Sequence, residues 1–282
     1  MIFAANAKIN LTLAVGPRRA DGYHLVDTVM HTVSLCDCVD IVKTGGGVSV
    51  SCSVPLDCDM HGNTAYKAAA AFFDFTGVRG GADIRIEKKI PAGAGLGGGS
   101  ADAAAVLRGL DRLYGTAVPR HELERLAASV GADVPFCLFG GAAFCTGAGD
   151  IVEPVAPAAD MAAVILFDGR HSSTAQMYRR LDDFDGTRFP GDARTAVRAL
   201  AENDVKKLAG SIGNDFGAVS GEKLCGLLRS HGALAASLSG SGSAVYGLFE
   251  SDAQALECAR ALEKEVLLAL PVTLCAPDAA ER

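Results

Sequence analysis

The sequence predicts an α+β fold in two lobes, and three observations support that prediction. Residues 6–15 alternate between polar and apolar side chains, which is typical of a half-buried strand. A glycine-rich segment over residues 91–100 follows a strand pattern and leads into an alanine-rich helix. Farther along the chain, strand and helix patterns interleave irregularly, which favours an α+β arrangement of layers. The length of 282 residues is sufficient for two moderate hydrophobic cores.

The predicted elements follow from periodicity and from the residues that begin and end each run. In the first half they are strands over residues 6–15, 25–42 and 82–87 and helices over 64–75, 100–114 and 122–130. In the second half they are strands over 142–146, 151–152 and 162–167, helices over 175–181, 193–202, 222–229 and 253–267, and a strand pair flanking residues 239–243. The composition changes at residues 154–157, so we expect one domain over residues 1–155 and another over 156–282.

Bulk composition excludes several classes of partner. The net charge of −7, without any run of Lys or Arg, argues against binding to nucleic acid or to an anionic membrane. Apolar runs fall far short of the roughly 20 residues of a membrane span, and the first residues lack a secretory signal pattern. Nine cysteines without a C-x-x-C pair predict reduced thiols, and six scattered histidines predict no local metal site. We therefore expect a cytoplasmic protein, whose oligomeric state the sequence does not indicate.

The glycine-rich segment is the strongest functional signal in the chain. Five of the seven residues at positions 93–99 are glycine, so backbone N–H groups are free of side chains and can turn toward a ligand. The helix that follows begins with unpaired N–H groups and the positive end of its dipole. This combination predicts a phosphate-binding loop rather than a flexible linker, because linkers do not usually lead straight into a strong helix.

The kind of phosphate loop can be narrowed by exclusion. A Walker A motif is absent, because no Lys follows the glycines. Gly93, Gly95 and Gly98 match a dinucleotide-binding pattern formally, but that match is weak in a segment so rich in glycine. A dinucleotide fold also requires a second strand after the helix, whereas the chain continues into the helix pattern at 122–130.

Several other residues have both a structural and a functional interpretation on pattern alone. Lys8 and Asn10 lie on the polar face of the first strand, where solvent-facing side chains are common. Asp133 suits either a helix N-cap or a general base. His24, with the neighbouring Tyr23, suits either a packed strand end or a contact to a flat ligand.

The chain resembles the GHMP kinase superfamily, which includes galactokinase, homoserine kinase and mevalonate kinase. The resemblance extends over nearly the whole chain and rests on residues 7–11 (AKINL), 19–24 (RADGYH), 91–104 (PAGAGLGGGSADAA), 131–136 (GADVPF), 173–175 (STA), 214–216 (NDF) and 238–243 (LSGSGS). The first two stretches are the most specific, and they resemble members that phosphorylate a cytidine diphosphate-linked polyol. The resemblance implies the two-lobed GHMP kinase fold, with an N-terminal lobe like ribosomal protein S5 domain 2 and a ferredoxin-like C-terminal lobe. It also implies ATP as co-substrate, with Mg²⁺.

The resemblance implies roles for individual residues. The catalytic residues would be Lys8 and Asp133, and the residues that contact the polyol substrate would be Asn10, Tyr23, His24, Thr174 and Tyr178. The ATP-binding residues would be Pro91, Ala92, Gly93, Ala94, Gly95, Leu96, Gly97, Gly98, Gly99 and Ser100. The family usually has a second serine after its glycines, and Ala101 stands at that position here.

Two alternatives to the cytidyl-polyol kinase remain open on sequence. Another small-alcohol kinase of the superfamily, of the homoserine or mevalonate type, would share the glycine loop but would not need Tyr23 and His24. A nucleotide-binding regulator without catalysis would keep the glycines and would not need Lys8 and Asp133.

Overall fold

The computed structural model describes residues 1–20, 22, 24–55, 59–158, 160–171 and 173–276. The strands in these residues are β1 (Ile2–Arg18), β2 (His24–Thr44), β3 (Gly47–Cys52), β4 (Gly81–Glu87), β5 (Ala142–Thr146), β6 (Ile151–Val155), β7 (Met161–Phe167), β8 (Gly213–Asn214), β9 (Ala235–Leu238), β10 (Val245–Leu248) and β11 (Leu268–Leu274). The helices are α1 (Thr64–Thr76), α2 (Gly98–Tyr114), α3 (Arg120–Val130), α4 (Val134–Phe139), α5 (Thr174–Asp182), α6 (Ala193–Glu202), α7 (Val205–Ala209), α8 (Glu222–Ser230) and α9 (Asp252–Leu262), with one 3₁₀ turn at Asp215–Ala218.

The chain divides into two compact units that interleave along the sequence. The first unit contains Met1–Ala7, Leu35–Ala92 and Gly97–Phe139, and the second contains Lys8–Ser34, Gly93–Leu96 and the chain from Gly140 onward. Strands β1 and β2 and the glycine loop therefore contribute residues to both units. The predicted division at residues 155 and 156 describes continuous sequence domains, and it stays a prediction.

The first unit combines a small sheet with helices α1 to α4. Strand β3 pairs in parallel with β4, and β4 pairs antiparallel with residues 38–44 of β2. Tyr114, at the end of α2, ties that helix to the sheet: its hydroxyl donates to the Gly81 carbonyl at 2.8 Å and accepts from the Gly81 N–H at 3.1 Å. Helix α2, which begins directly after the glycine loop, is therefore anchored to the sheet at its C-terminal end.

Helix α2 lies against the sheet so closely that one position admits only glycine. A Cβ atom on Gly109 would lie 2.4 Å from Ile41 Cδ1 and 2.9 Å from Phe3 Cε2. Both neighbouring side chains are buried, so neither can move into solvent. The glycine therefore allows close packing of the helix that carries the phosphate loop.

The second unit is built on an antiparallel sheet. Its strand order is β11, β7, β10, β9, with every pair antiparallel. Residues 28–31 of β2 pair with β5, and β5 pairs with β6. A core of buried apolar side chains contains residues of β1, β7, β10, α8 and α9, among them Leu13, Val164, Val245, Leu228 and Leu262.

His31 on β2 is a buried histidine held in its neutral form. Its side chain is 0% exposed, its Nδ1 lies 2.8 Å from the Thr32 carbonyl oxygen, and its Nε2 accepts from the Ala158 N–H at 3.0 Å. A ring nitrogen that accepts carries no proton, so the proton resides on Nδ1. Burial lowers the pKa of His31 to about 4, against a smaller opposing effect of the hydrogen bond to Thr32.

The prediction for the chain after α9 is wrong. The predicted helix over residues 253–267 ends at Leu262, and Leu268–Leu274 forms strand β11 along β7. The apolar run at 266–270 suits a buried helix and a buried strand equally well, and pairing with a distant strand decides between them. Strands β3 and β8 and helix α7 were also not predicted. Within the described residues, no helix is both long and apolar enough to span a bilayer.

We predict opposite effects of alanine at two helical glycines. Gly109→Ala should lower the urea midpoint, because overpacking costs about 1–3 kcal/mol against a gain in helix propensity of about 1 kcal/mol. Gly226→Ala on α8 is the matched control, since nothing lies within 4 Å of its Cβ position. It should raise stability by about 0.5–1 kcal/mol. Equal midpoints for the two variants in urea unfolding followed by circular dichroism would contradict the close packing at Gly109.

Candidate phosphate-binding and catalytic site

In the first unit, helix α2 begins with an open N-terminus. Its N-cap residue is Gly97, with φ of +70°, no side chain caps the helix, and its first turn contains no acidic residue. The Thr64 hydroxyl donates to the Gly99 carbonyl at 2.6 Å, which fixes the backbone of the first turn to α1. The terminal N–H groups and the positive end of the dipole are therefore not satisfied by a capping side chain, as a phosphate site requires.

In the second unit, the middle of the glycine loop contacts the segment at residues 239–243. Gly95 has φ of +82°, and a Cβ atom there would lie 2.1 Å from the Ser239 carbonyl oxygen. The Ser239 hydroxyl donates to the Gly95 carbonyl at 2.9 Å, and the Ala244 N–H donates to the Ala94 carbonyl at 3.0 Å. These two glycine-containing segments therefore face each other within the second unit.

Lys8 is not a solvent-facing strand residue. It is 3% exposed, and its Nζ donates to Asn10 Oδ1 at 2.7 Å. Its N–H donates to the Leu96 carbonyl at 3.0 Å, and its Nζ lies 3.3 Å from where a Cβ on Gly240 would be. The structure therefore contradicts the exposed-edge interpretation. The Lys8 backbone contacts the glycine loop at Leu96, and its buried ammonium group lies beside Gly240.

Asn10 connects Lys8 to the segment at 239–243. Its Oδ1 accepts from Lys8 and also from the Gly240 N–H at 2.8 Å, while its Nδ2 donates to Thr28 Oγ1 at 2.8 Å. An asparagine amide has two hydrogens, so one donor position remains beyond the bond to Thr28. Asn10 positions Lys8 and Gly240, and its predicted contact with substrate rests on that remaining hydrogen.

Asn214 is a site residue to which the sequence gave no role. Its Nδ2 donates to the carbonyl groups of Leu238 and Gly240 at 2.9 and 2.8 Å, so it holds the segment at 239–243 from the other side. Its Oδ1 accepts from the Phe216 N–H at 2.9 Å. The residues 214–216 belong to the stretches that carry the family resemblance, which was the available signal.

His24, Tyr178 and Asp182 form a second cluster in the same unit. The rings of His24 and Tyr178 stack with centroids 4.7 Å apart, and Tyr178 meets Phe216 edge to face at 4.9 Å. His24 Nε2 lies 2.9 Å from Asp182 Oδ1. Asp182 is the last residue of α5, and it orients the histidine. The predicted Tyr23 lies outside the described residues.

The remaining predicted residues lie at the starts of helices. Thr174 begins α5 in the second unit, and its hydroxyl is 3.1 Å from the Ser241 hydroxyl. Asp133 is half-buried in the first unit, where its carbonyl accepts from the Cys137 N–H at 3.1 Å as α4 begins. The structure thus brings Lys8, Asn10 and Thr174 to the glycine-containing segment at 239–243, and it places Asp133 at the start of a helix.

The side chains and backbone groups of the site can be compared with the two predicted ligands, ATP and Mg²⁺. Across the ranges that the structure describes, no group of three or more His, Cys, Asp and Glu side chains is arranged to hold a metal ion. The N-terminus of α2, by contrast, offers backbone N–H donors that no side chain caps. That donor set suits the oxygens of a nucleotide phosphate.

Comparison with known proteins gives a consistent result. The profile of the GHMP kinases N terminal domain matches residues 63–141, and that of the GHMP kinases C terminal domain matches residues 222–267. The chain is 39% identical to the 4-diphosphocytidyl-2-C-methyl-D-erythritol kinase of Caldicellulosiruptor saccharolyticus over 281 residues, which cover 95% of this chain and 96% of that relative.

Solved structures extend the comparison. A crystal structure of 4-(cytidine 5'-diphospho)-2C-methyl-D-erythritol kinase superposes with a TM-score of 0.83 at 35% identity, covering 98% of this chain and 100% of that one. A homoserine kinase from Cytophaga hutchinsonii superposes with a TM-score of 0.75 at 20% identity, covering 98% and 96%, and this likeness concerns the fold alone. The predicted GHMP kinase fold is confirmed.

We predict that Gly95→Ala weakens nucleotide binding at least tenfold. The new Cβ would overlap the Ser239 carbonyl in a backbone conformation that alanine rarely adopts, so the two segments must separate. Calorimetric titration with ATP measures the affinity. Gly46→Ala is the control, because nothing lies within 4 Å of its Cβ position. Wild-type affinity in a folded Gly95→Ala variant would contradict the role of this contact.

Proposed function

This chain belongs to the 4-diphosphocytidyl-2-C-methyl-D-erythritol kinase family of the GHMP kinases, and we propose that it transfers the γ-phosphoryl group of ATP to the 2-hydroxyl of 4-diphosphocytidyl-2-C-methyl-D-erythritol. The predicted enzyme class, an ATP-dependent phosphotransferase with an alcohol acceptor, is confirmed by that membership. The reaction would supply the non-mevalonate route to isoprenoid precursors. Membership favours this substrate over those of homoserine or mevalonate kinases, and it favours catalysis over a purely regulatory role.

The position of Lys8 is the observation that carries the proposal. Its backbone contacts the glycine loop at Leu96, and its buried ammonium group lies beside Gly240. A phosphate group bound by the loop would meet a positive charge there. Lys8 would then stabilise charge that develops on the transferred phosphoryl group.

Asp133 would act as the general base. The acceptor hydroxyl gives its proton to the Asp133 carboxylate while its oxygen forms a bond to the γ-phosphorus, and the bond from that phosphorus to the bridging oxygen of ADP breaks. Mg²⁺ bound to the nucleotide phosphates would neutralise part of their charge, and the phosphates, rather than a cluster of carboxylates among the described residues, would hold it. The glycine loop and the N-terminus of α2 would hold the β- and γ-phosphates in place, so catalysis rests mainly on positioning.

The cytosine group would bind beside His24 and Tyr178. Tyr178 stacks on His24 and meets Phe216 edge to face, so a base would contact another part of the Tyr178 ring and the His24 Nδ1. Asp182 holds the imidazole through Nε2 and thereby orients Nδ1. A ring nitrogen and a flat aromatic surface suit the hydrogen-bonding edge and the face of a pyrimidine.

We predict that Asp133→Asn lowers kcat by about 10²–10⁴-fold, the usual contribution of a general base. ATP affinity should stay within a few-fold of wild type, because the amide keeps the shape of the carboxylate. Release of ADP in the presence of the cytidyl polyol measures turnover. The control is Asp74→Asn on the exposed surface of α1, which should turn over normally. Near-normal turnover in Asp133→Asn would remove Asp133 from the mechanism.

We predict that His24→Ala raises KM for the cytidyl polyol roughly tenfold, since a contacted base is worth about 1–3 kcal/mol. Affinity for ATP should be unchanged. His121→Ala on α3 is the matched control, because its ring is 74% exposed and bonds only to a neighbouring glutamate. Binding of CDP by the purified protein, measured by calorimetry, should weaken in parallel with the change in KM. If wild-type protein binds no CDP, the cytidyl specificity is wrong.

A further inference from the structure

Three buried charged residues lie beneath the glycine loop, in the first unit. Asp37 on β2 is 0% exposed, and Asp102 lies one turn inside α2 and is 4% exposed. The ammonium group of Lys88, which follows β4, donates to Asp37 Oδ2 and, at 2.7 Å, to Asp102 Oδ2. None of the three has a role in the proposed phosphoryl transfer.

The cluster joins the chain before the loop to the chain after it. Asp37 Oδ1 accepts from the N–H groups of Lys89 and Ile90 at 2.5 and 2.8 Å, immediately before the loop begins at Pro91. Lys88 links the same carboxylate to Asp102, two residues after the loop ends at Ser100. The two ends of the loop are therefore held by one continuous chain of hydrogen bonds.

The start of α2 also packs directly on this cluster. A Cβ atom on Gly98 would lie 3.0 Å from Ile90 Cγ2 and 3.3 Å from Lys88 Nζ. A shift of Lys88 or of the 88–90 segment would therefore move the first turn of the helix, whose N–H groups form the phosphate cradle.

The cluster is poorly balanced as a purely stabilising feature. Two carboxylates share one ammonium group, and Asp102 Oδ1 is buried without a hydrogen-bond partner among the described residues. Burial raises the pKa of Asp102 above its ordinary value, with Lys88 opposing the effect and the neighbouring Asp37 adding to it. Buried ion pairs of this kind are often no more stable than apolar side chains of similar volume. Fold stability alone is therefore a weak account of the cluster.

We propose that Asp37, Lys88 and Asp102 are positioning residues for the nucleotide: they hold the two ends of the glycine loop at a fixed separation, so that its N–H groups are arranged before ATP binds. The inference rests on the proposed function only in taking ATP as the ligand. N–H donors that are already in place lose less conformational entropy when ATP binds. The cluster would strengthen ATP binding in this way.

Two substitutions at one position test the link. Asp102→Ala cuts the chain of hydrogen bonds at α2 and leaves Lys88 balanced by Asp37, so this variant should fold. Its dissociation constant for ATP, measured by calorimetry, should rise five- to twentyfold. Asp102→Asn keeps an oxygen that accepts from Lys88, and its affinity should stay within twofold of wild type. KM for the polyol should not change in either variant.

The controls separate positioning from loss of structure and from failure of the proposed reaction. Lys89→Ala removes the exposed neighbour of Lys88 and should bind ATP as wild type does, and the Tm of each variant reports folding. ATP binding is measured without turnover, so an inactive wild type would refute the proposed reaction and still leave this test valid. Wild-type affinity in a folded Asp102→Ala variant would overturn the inference. Equal weakening in Asp102→Asn would also overturn it, because asparagine retains the hydrogen-bond link.

Discussion

The approach of the Gly95 backbone to the Ser239 carbonyl is the constraint around which the second unit's part of the site is arranged. No side chain on Gly95 fits between them, and the Ser239 hydroxyl donates to the Gly95 carbonyl. The buried Lys8 lies against both, and Asn10 and Asn214 bond the second segment from two sides. The Lys8 ammonium group itself donates to the Asn10 side chain, and the Asn10 amide donates to Thr28 Oγ1. The ammonium group is thereby held by a side chain that is fixed to β2 and to the backbone of Gly240.

In the first unit, a buried charged residue helps to fix the backbone at the start of α2. The N-terminus of α2 has no capping side chain, and an uncapped terminus is prone to fray. The Thr64 hydroxyl on Gly99 and the buried Lys88 beneath Gly98 hold the first turn without occupying its N–H groups. Tyr114 anchors the other end of the same helix to β4. The uncapped helix is thus held at its first turn by Thr64 and Lys88 and at its last turn by Tyr114.

Local signals made part of this architecture predictable. Helix α6 was predicted with both ends correct, because Asp192 caps its start and Asn203 takes the left-handed conformation at its end. The alternation after Asn6 identified β1, and the glycine run identified the phosphate loop. The family resemblance supplied the roles of Lys8 and Asp133, which pattern alone left open.

The features that escaped prediction depend on residues far apart in the chain. Asp37 and Lys88 are separated by 51 positions, and His24 and Asp182 by 158, so no local pattern could pair them. Strand β11 exists because β7 pairs with it, and its apolar sequence alone suits a helix as well. Burial of Lys8 likewise arises from segments remote in sequence, and its strand pattern indicated the opposite.

His31 gives the second unit a built-in sensitivity to acid. Its imidazole is neutral in the folded protein down to a pH of about 4, whereas in an unfolded chain it takes up a proton at about 6.5. The unfolded state therefore binds the extra proton between these values, and this histidine's contribution to folding is intact above pH 6.5 and lost progressively as pH falls to about 4. Acidification below about pH 6.5 would therefore lower the free energy of unfolding of the fold that contains β2, the strand that carries both His31 and Thr28.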